Sequence, residues 1–224
     1  MTRSVLLDTE TTGLDPALGH RVVEIAAIEL GNDLPTGKFF HRLLDPERPV
    51  PAEATAIHGF TDADLKGKPR FSEVVQDLLA FLGSDPIIAH NAPFDFAFLD
   101  AELAICGLPR LDRRRMVDTL ALAKSLFPGM TNSLDALCRR FAIDLSERSS
   151  HNALLDCRLL AAVYVELTGG RQRGLALEHA TGAPRAVLVE RRERIPRPIV
   201  PTPEETARHA AFLARFKAPL WQRD

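Results

Sequence analysis

Asp8 and Glu10 close an apolar run, Ser4-Val-Leu-Leu-Asp8-Thr-Glu10-Thr-Thr-Gly13. Side chains two apart on a strand point to one face, so both carboxylates project together. Two carboxylates side by side at the end of a buried strand repel each other and resist desolvation. A positive charge has to offset that, and a divalent cation is the usual answer. Three further residues stand where apolar packing alone would not put them: Asp95 in Ala-His90-Asn-Ala-Pro-Phe-Asp95, and the ends of His151-Asn-Ala-Leu-Leu-Asp156. Each has a plainer reading taken singly. Asp-x-Glu is common at turns, Asp95 could be a first-turn acid that offsets a helix dipole, and His151 could be an exposed loop histidine. Asp156 resists such a reading, because Leu155 and Cys157 flank it in an apolar stretch and a bland role leaves a buried charge unexplained.

The elements that must position these groups are visible in the periodicity. Val5–Thr9, 21–30 and 38–44 read as strands, with Glu24 and Glu29 as interruptions of the second and turn signals at Gly13-Leu-Asp-Pro16 and Gly31-Asn-Asp-Leu-Pro35. Phe71, Val74, Val75, Leu78, Leu79 and Leu82 form an amphipathic helical stripe. Residues 86–90 predict a short strand, and Asn91 an N-cap with Pro93 in the first turn of a helix to about Cys106. Helices are predicted at 117–127, 133–141 and 152–167. Strands gathered first and helices interleaved later predict an α/β fold, a mixed β-sheet flanked by helices. Residues 1–170 form the expected domain. Gly169-Gly170 closes it, and 171–201, rich in Arg, Pro and Gly, reads as a flexible linker. Thr202-Pro203-Glu204-Glu205 then signals a helix start, so 202–224 is expected as a helical tail reaching about Phe216.

Bulk composition narrows the classes. The chain has 224 residues, 46% hydrophobic and 26% charged. It holds no apolar run long enough to span a bilayer and no signal sequence at its start, so no membrane role and a cytoplasmic location are expected. Cys106, Cys138 and Cys157 lack CxxC spacing and sit in helical segments, which argues for reduced core thiols. The net charge of −2 hides an asymmetry: residues 171–224 hold eleven Lys/Arg against six Asp/Glu, leaving seventeen bases and twenty-four acids in 1–170. So acidic a domain is a poor general binder of nucleic acid and would grip only a few nucleotides.

The three motifs, in this order and spacing, resemble the DEDDh exonucleases of the RNase H-like superfamily, over nearly all of 1–170. The segment Glu53-Ala-Thr-Ala-Ile-His58-Gly59, the Gly-Gly, the linker, the Pro-Glu-Glu helix and the terminal Leu-Trp narrow the resemblance to the epsilon (proofreading) subunits of bacterial DNA polymerase III. It implies two divalent cations, Mg²⁺ or Mn²⁺, with Asp8 bridging them. Glu10 and Asp156 would complete one ion, Asp95 would hold the other, and His151, outside the metal set, would be the general base. The implied reaction is 3′–5′ hydrolysis of the terminal phosphodiester of single-stranded DNA, releasing 5′-mononucleotides and favouring mismatched ends. Asp8, Glu10 and Asp156 would also touch the substrate, with Glu53 and His58 positioning the terminal nucleotide. Leu14, Ile57 and Phe94 are candidates to stack on or wedge the last bases. Implied partners are the polymerase (alpha) subunit, through the tail helix with Ala210, Phe212, Leu213 and Phe216, and the sliding clamp. The clamp peptide would be Gln172-Arg-Gly-Leu175-Ala-Leu177. His20, His41 and His90 read as structural. Two alternatives stay open at this point: a stand-alone DEDDh nuclease trimming RNA or oligonucleotides, and a non-catalytic replisome scaffold.

Overall fold

The computed structural model describes residues 2–146, 151–169 and 200–216. Five strands form one mixed sheet in the order β3-β2-β1-β4-β5: β1 Arg3–Thr11, β2 Val22–Gly31, β3 Leu34–Leu43, β4 Ile87–Ala89 and β5 Met116–Asp118. β1, β2 and β3 are antiparallel, and β4 and β5 run parallel to β1. Around them lie α1 Ala52–His58, α2 Asp62–Leu65, α3 Phe71–Leu82, α4 Ala92–Ile105, α5 Thr119–Leu126, α6 Leu134–Arg140 and α7 Ala153–Leu167. This is the expected α/β architecture of a mixed sheet flanked by helices.

The period-2 alternation of β1 decides what each side chain meets. Val5 and Leu7 join Phe71, Val75 and Leu78 of α3 and Phe96 and Leu99 of α4 in one core. Leu6 faces the other way, with Ala26 and Ile28, into Leu137 and Cys138 of α6 and Cys157 and Leu160 of α7. Continuing that alternation, Asp8 and Glu10 extend the Leu6 face toward α7, and Thr9 extends the Leu7 face toward α4. Each side of the central strand therefore leads into the helix that carries another of the acidic residues.

Several boundaries differ from expectation for tertiary reasons. β3 starts at Leu34, because Asn32 and Asp33 (φ 51° and 65°) make a tight two-residue hairpin; Pro35 is tolerated since β3 is an edge strand. Residues 52–58 and 62–65 are helical, which was not expected, although Thr61 and Asp64 form a capping box at the start of the second. The segment 117–127 is helical only from Thr119: Met116–Asp118 pairs with β4, and that partner is remote in sequence. Asn91 does precede α4, but in a left-handed conformation (φ 67°) with no capping bond from its side chain. The carboxylate of Asp118 takes the task. Its Oδ1 accepts from the N–H groups of Asn91 (3.0 Å), Ala92 (3.3 Å) and Leu120 (3.0 Å), closing the starts of α4 and α5 at once.

In the second unit α8, Pro203–Leu213, begins where Thr202 predicts. The capping box with Glu205 is formed, and Phe212 packs edge-on against Phe216 at 5.1 Å. Most of 171–201, with Gln172, Leu175 and Leu177, and residues 217–224 lie outside the described residues, as do 147–150. All three cysteines are free thiols, Cys138 and Cys157 buried and Cys106 half-buried. Among the described residues no helix is long and apolar enough to cross a membrane.

Asp118→Ala leaves three backbone donors without their acceptor. It should lower unfolding stability by about 1–3 kcal/mol, read as a shifted urea midpoint; an unchanged midpoint would show that water replaces the cap at no cost.

Candidate active site

At the carboxyl end of β1 the sheet opens into a cavity of about 690 Å³. Asp8, Glu10, Asp95, His151 and Asp156, separated by up to 148 positions in the chain, all line it, and so do Glu53 and His58. β1 supplies Asp8 and Glu10. The first turn of α4 supplies Asp95, and the first turn of α7 supplies Asp156 one turn past the loop residue His151. Asn152 caps α7 through Oδ1, accepting from Leu155 N at 3.0 Å, which fixes where that turn starts.

The electrostatics are those of crowded, poorly solvated carboxylates. Asp8 keeps part of its surface open to the cavity, yet its enclosure holds its pKa well above the usual carboxylate range, and Asp95, Glu10, Asp156 and Glu24 push it further up. Asp95 is 2% exposed, and burial raises it to about 7 even though the Thr9 hydroxyl donates to its Oδ1 at 2.8 Å. Glu10, His151 and Asp156 place one ligand atom each within 4.8 Å of one another. His151 Nδ1 stands 3.5 Å from Asp156 Oδ2. The expectation set His151 apart from the metal ligands; geometry groups its imidazole with two of them. Acidic oxygens clustered with an imidazole suit a divalent cation.

His58 is buried, and burial lowers its pKa. Phe60 N donates to its Nδ1 at 3.1 Å, which places the ring proton on Nε2 of the neutral imidazole. The buried Nε2 lies against the Thr11 backbone, which favours its protonated form and partly offsets the effect of burial. His58 thus makes the local turn contact of the plain reading while its ring lines the cavity. The rim is apolar: Leu14 is 82% exposed and Ile57 50%, and Phe94 lines the cavity while packing on Phe98 at 4.9 Å. Leu18, on the same rim and 74% exposed, was not anticipated.

His20 and His90, read from sequence as structural, also line the cavity. His90 Nδ1 bonds the Thr119 hydroxyl at 2.9 Å, tying β4 to α5. His20 lies flat on Gly13, where an added Cβ would come within 2.4 Å of the ring, so the glycine of Thr-Thr-Gly is a packing requirement. Glu24, read only as an interruption of β2, is fully buried. No local signal marks Glu24, whose partners lie in distant segments, and the local cap that Asp118 gives Leu120 does not reveal its second task at α4.

Asp95 ionises near pH 7 in the folded chain against 3.8 for an unperturbed side chain. The folded state therefore keeps a proton that the unfolded state has released, and this group's contribution to stability falls as pH rises from about 4 to 7. Chelator-treated protein should lose Tm across that window, and Mn²⁺ should raise Tm more at pH 8 than at pH 5. Equal cation-induced shifts at both values would disprove the coupling.

The family described as Exonuclease matches residues 5–164. A DNA polymerase III subunit epsilon of Rickettsia conorii is 44% identical over 221 residues, covering 96% of both chains; that of Escherichia coli is 39% identical over 225 residues, covering 95% of this chain and 93% of its own. Among solved structures, exonuclease X in complex with 5′ overhanging duplex DNA superposes with a TM-score of 0.58 at 30% identity, over 75% of this chain and 91% of that one. E. coli exonuclease I with a dT13 oligonucleotide shares the fold, with a TM-score of 0.67 at 17% identity over 75% of this chain and 41% of its own. The chain belongs to the exonuclease family and, within it, to the DNA polymerase III epsilon subunits.

Proposed function

We propose that this cavity is the 3′–5′ exonuclease site with which the chain proofreads newly made DNA, removing mismatched 3′-terminal nucleotides during replication. The observation that carries the reading is the convergence of Asp8, Glu10, Asp95, Asp156 and His151 on one acidic cavity, in a chain so closely related to epsilon subunits. Asp8, Glu10, Asp95 and Asp156 would hold two divalent cations, Mg²⁺ or Mn²⁺, whose chemistry when bound is to stabilise charge on the attacking and leaving oxygens of an in-line displacement. His151, with its side chain 51% exposed at the cavity, takes the proton of the attacking water, a common task for an imidazole. His58 and Glu53, both in the cavity lining, help to place the terminal nucleotide. Leu14, Ile57 and Phe94 give the last bases an apolar surface that ignores their identity.

Selectivity for errors then needs no base readout. A duplex end must fray before it can enter, and a mismatched end frays at lower cost. The acidic domain 1–170 grips DNA weakly, so residence on the primer depends on assembly with the polymerase. Residues 202–224 are assigned to binding the polymerase alpha subunit, with Phe212 and Phe216 of the α8 segment half-exposed for that contact. Residues 171–201 act as the linker, and Gln172, Leu175 and Leu177 would engage the sliding clamp.

Wild-type protein with Mn²⁺ should release 5′-mononucleotides from a mispaired primer end faster than from a paired one, and chelator should stop both. Equal rates on the two ends, or a preference for RNA over DNA single strands, would overturn the reading. Asp8→Ala should abolish release, at least about 10³-fold. It should leave Tm equal or higher in chelator, because it removes one of the mutually repelling carboxylates. His151→Gln should flatten the limb of the rate–pH profile that climbs toward neutral pH; a surviving limb would assign the base elsewhere.

A further inference from the structure

Glu24 is the buried charge that the proposed chemistry leaves unused. It sits on β2 directly across from Glu10, on the sheet face that α7 covers, and it is 0% exposed. Its carboxylate collects donors from two directions. Oε1 accepts from Asn152 Nδ2 at 3.0 Å and from His41 Nε2 of β3 at 2.7 Å; Oε2 accepts from the backbone N–H of Ala153 at 2.9 Å. Asn152 and Ala153 immediately follow His151. On the other side, His151 N–H donates to Ile57 O of α1 at 3.2 Å. The backbone of the histidine is thus clamped between α1 and a carboxylate rooted in the central sheet, and from there its half-exposed side chain comes within 3.5 Å of Asp156.

We propose that Glu24 is a positioning residue for the hydrolysis. By holding the first turn of α7 against β2, it sets the reach of His151, and with it the 3.5 Å approach of His151 to Asp156. An acid suits this position for two reasons. A carboxylate has enough acceptor sites to take all three donors, and its charge favours the helix N-terminus it faces. A glutamine in its place turns an NH₂ group toward at least one of those donors, so one hydrogen bond is replaced by a donor–donor contact. Small losses of placement at a reacting group are expensive in rate while leaving substrate affinity intact.

The inference rests on the reading of His151 as general base, and a double-mutant cycle separates the two. Rates would be measured on a mispaired primer with Mn²⁺ for wild type, Glu24→Gln, His151→Gln and the double variant. Glu24→Gln is expected to lower kcat by about 10–100-fold, with KM within about twofold, in protein whose circular dichroism is native. In the His151→Gln background the same change should cost clearly less than it does in wild type, since one of the two groups on that turn is gone. A multiplicative loss in the double variant, or a rise in KM with kcat unchanged, overturns the positioning role while leaving the exonuclease reading intact. If His151→Gln itself is as active as wild type, the reading of the base fails first. Should Glu24→Gln not fold, Asn152→Ala removes the side-chain half of the clamp from a half-buried position. It should lower kcat less than Glu24→Gln would, with the same loss of effect in the His151→Gln background; full additivity there overturns the proposal.

Discussion

Crowding of negative charge at the carboxyl end of β1 is the constraint on which the rest of the molecule depends. Asp8 is raised by burial first and then by four neighbouring carboxylates, and Asp95 by burial despite a hydroxyl donor. Left to themselves these groups would separate or take up protons. They stay together because each is fixed to an element that cannot move away: the central strand for Asp8 and Glu10, and the first turns of two helices packed on opposite faces of the sheet for Asp95 and Asp156. Strain of this kind makes cation binding favourable, because the ion meets ligands already gathered and relieves their repulsion.

The supporting carboxylates follow a common plan. Asp118 closes the N-terminus of α4, and Glu24 that of α7; these are the two helices that deliver Asp95 and Asp156. Each reaches its helix from a strand of the sheet, so the site geometry is referred to the most rigid part of the fold. Thr9 adds a third tie, from β1 to Asp95 itself. An acidic centre is thus held in place partly by further acids, which is tolerable only because each of those accepts backbone N–H donors at a positive helix end. Elsewhere buried acids are matched by cations: Glu102, 2% exposed, receives two parallel bonds from Arg21 at 2.8 Å, fastening the start of β2 to α4.

Much of this was legible in the linear chain. Alternation in Ser4–Thr11 placed two carboxylates on one face, the stripe Phe71–Leu82 marked α3, the capping signal at Thr202 located the start of α8 to the residue, and the helices expected from 133 and 152 begin one position later. These features are local: they depend on side-chain period and on hydrogen bonds spanning three or four positions. What was misread shares the opposite property. Val117 belongs to a strand because Ile88 pairs with it, Asn91 is relieved of capping by Asp118, and Glu24 looks like a flaw in an apolar run until α7 arrives above it.

The sequence by itself determined which residue types were available for chemistry, the face each would take on its own strand or helix, and the family to which the pattern belongs, since all of these follow from short-range order. Only the tertiary structure decided that residues up to 148 positions apart share one cavity, that Asp95 is desolvated enough to titrate near 7, and that the helices bearing the acids are anchored by Glu24 and Asp118. Desolvation and long-range pairing depend on what the folded chain brings alongside a residue, and its neighbours in sequence do not specify that.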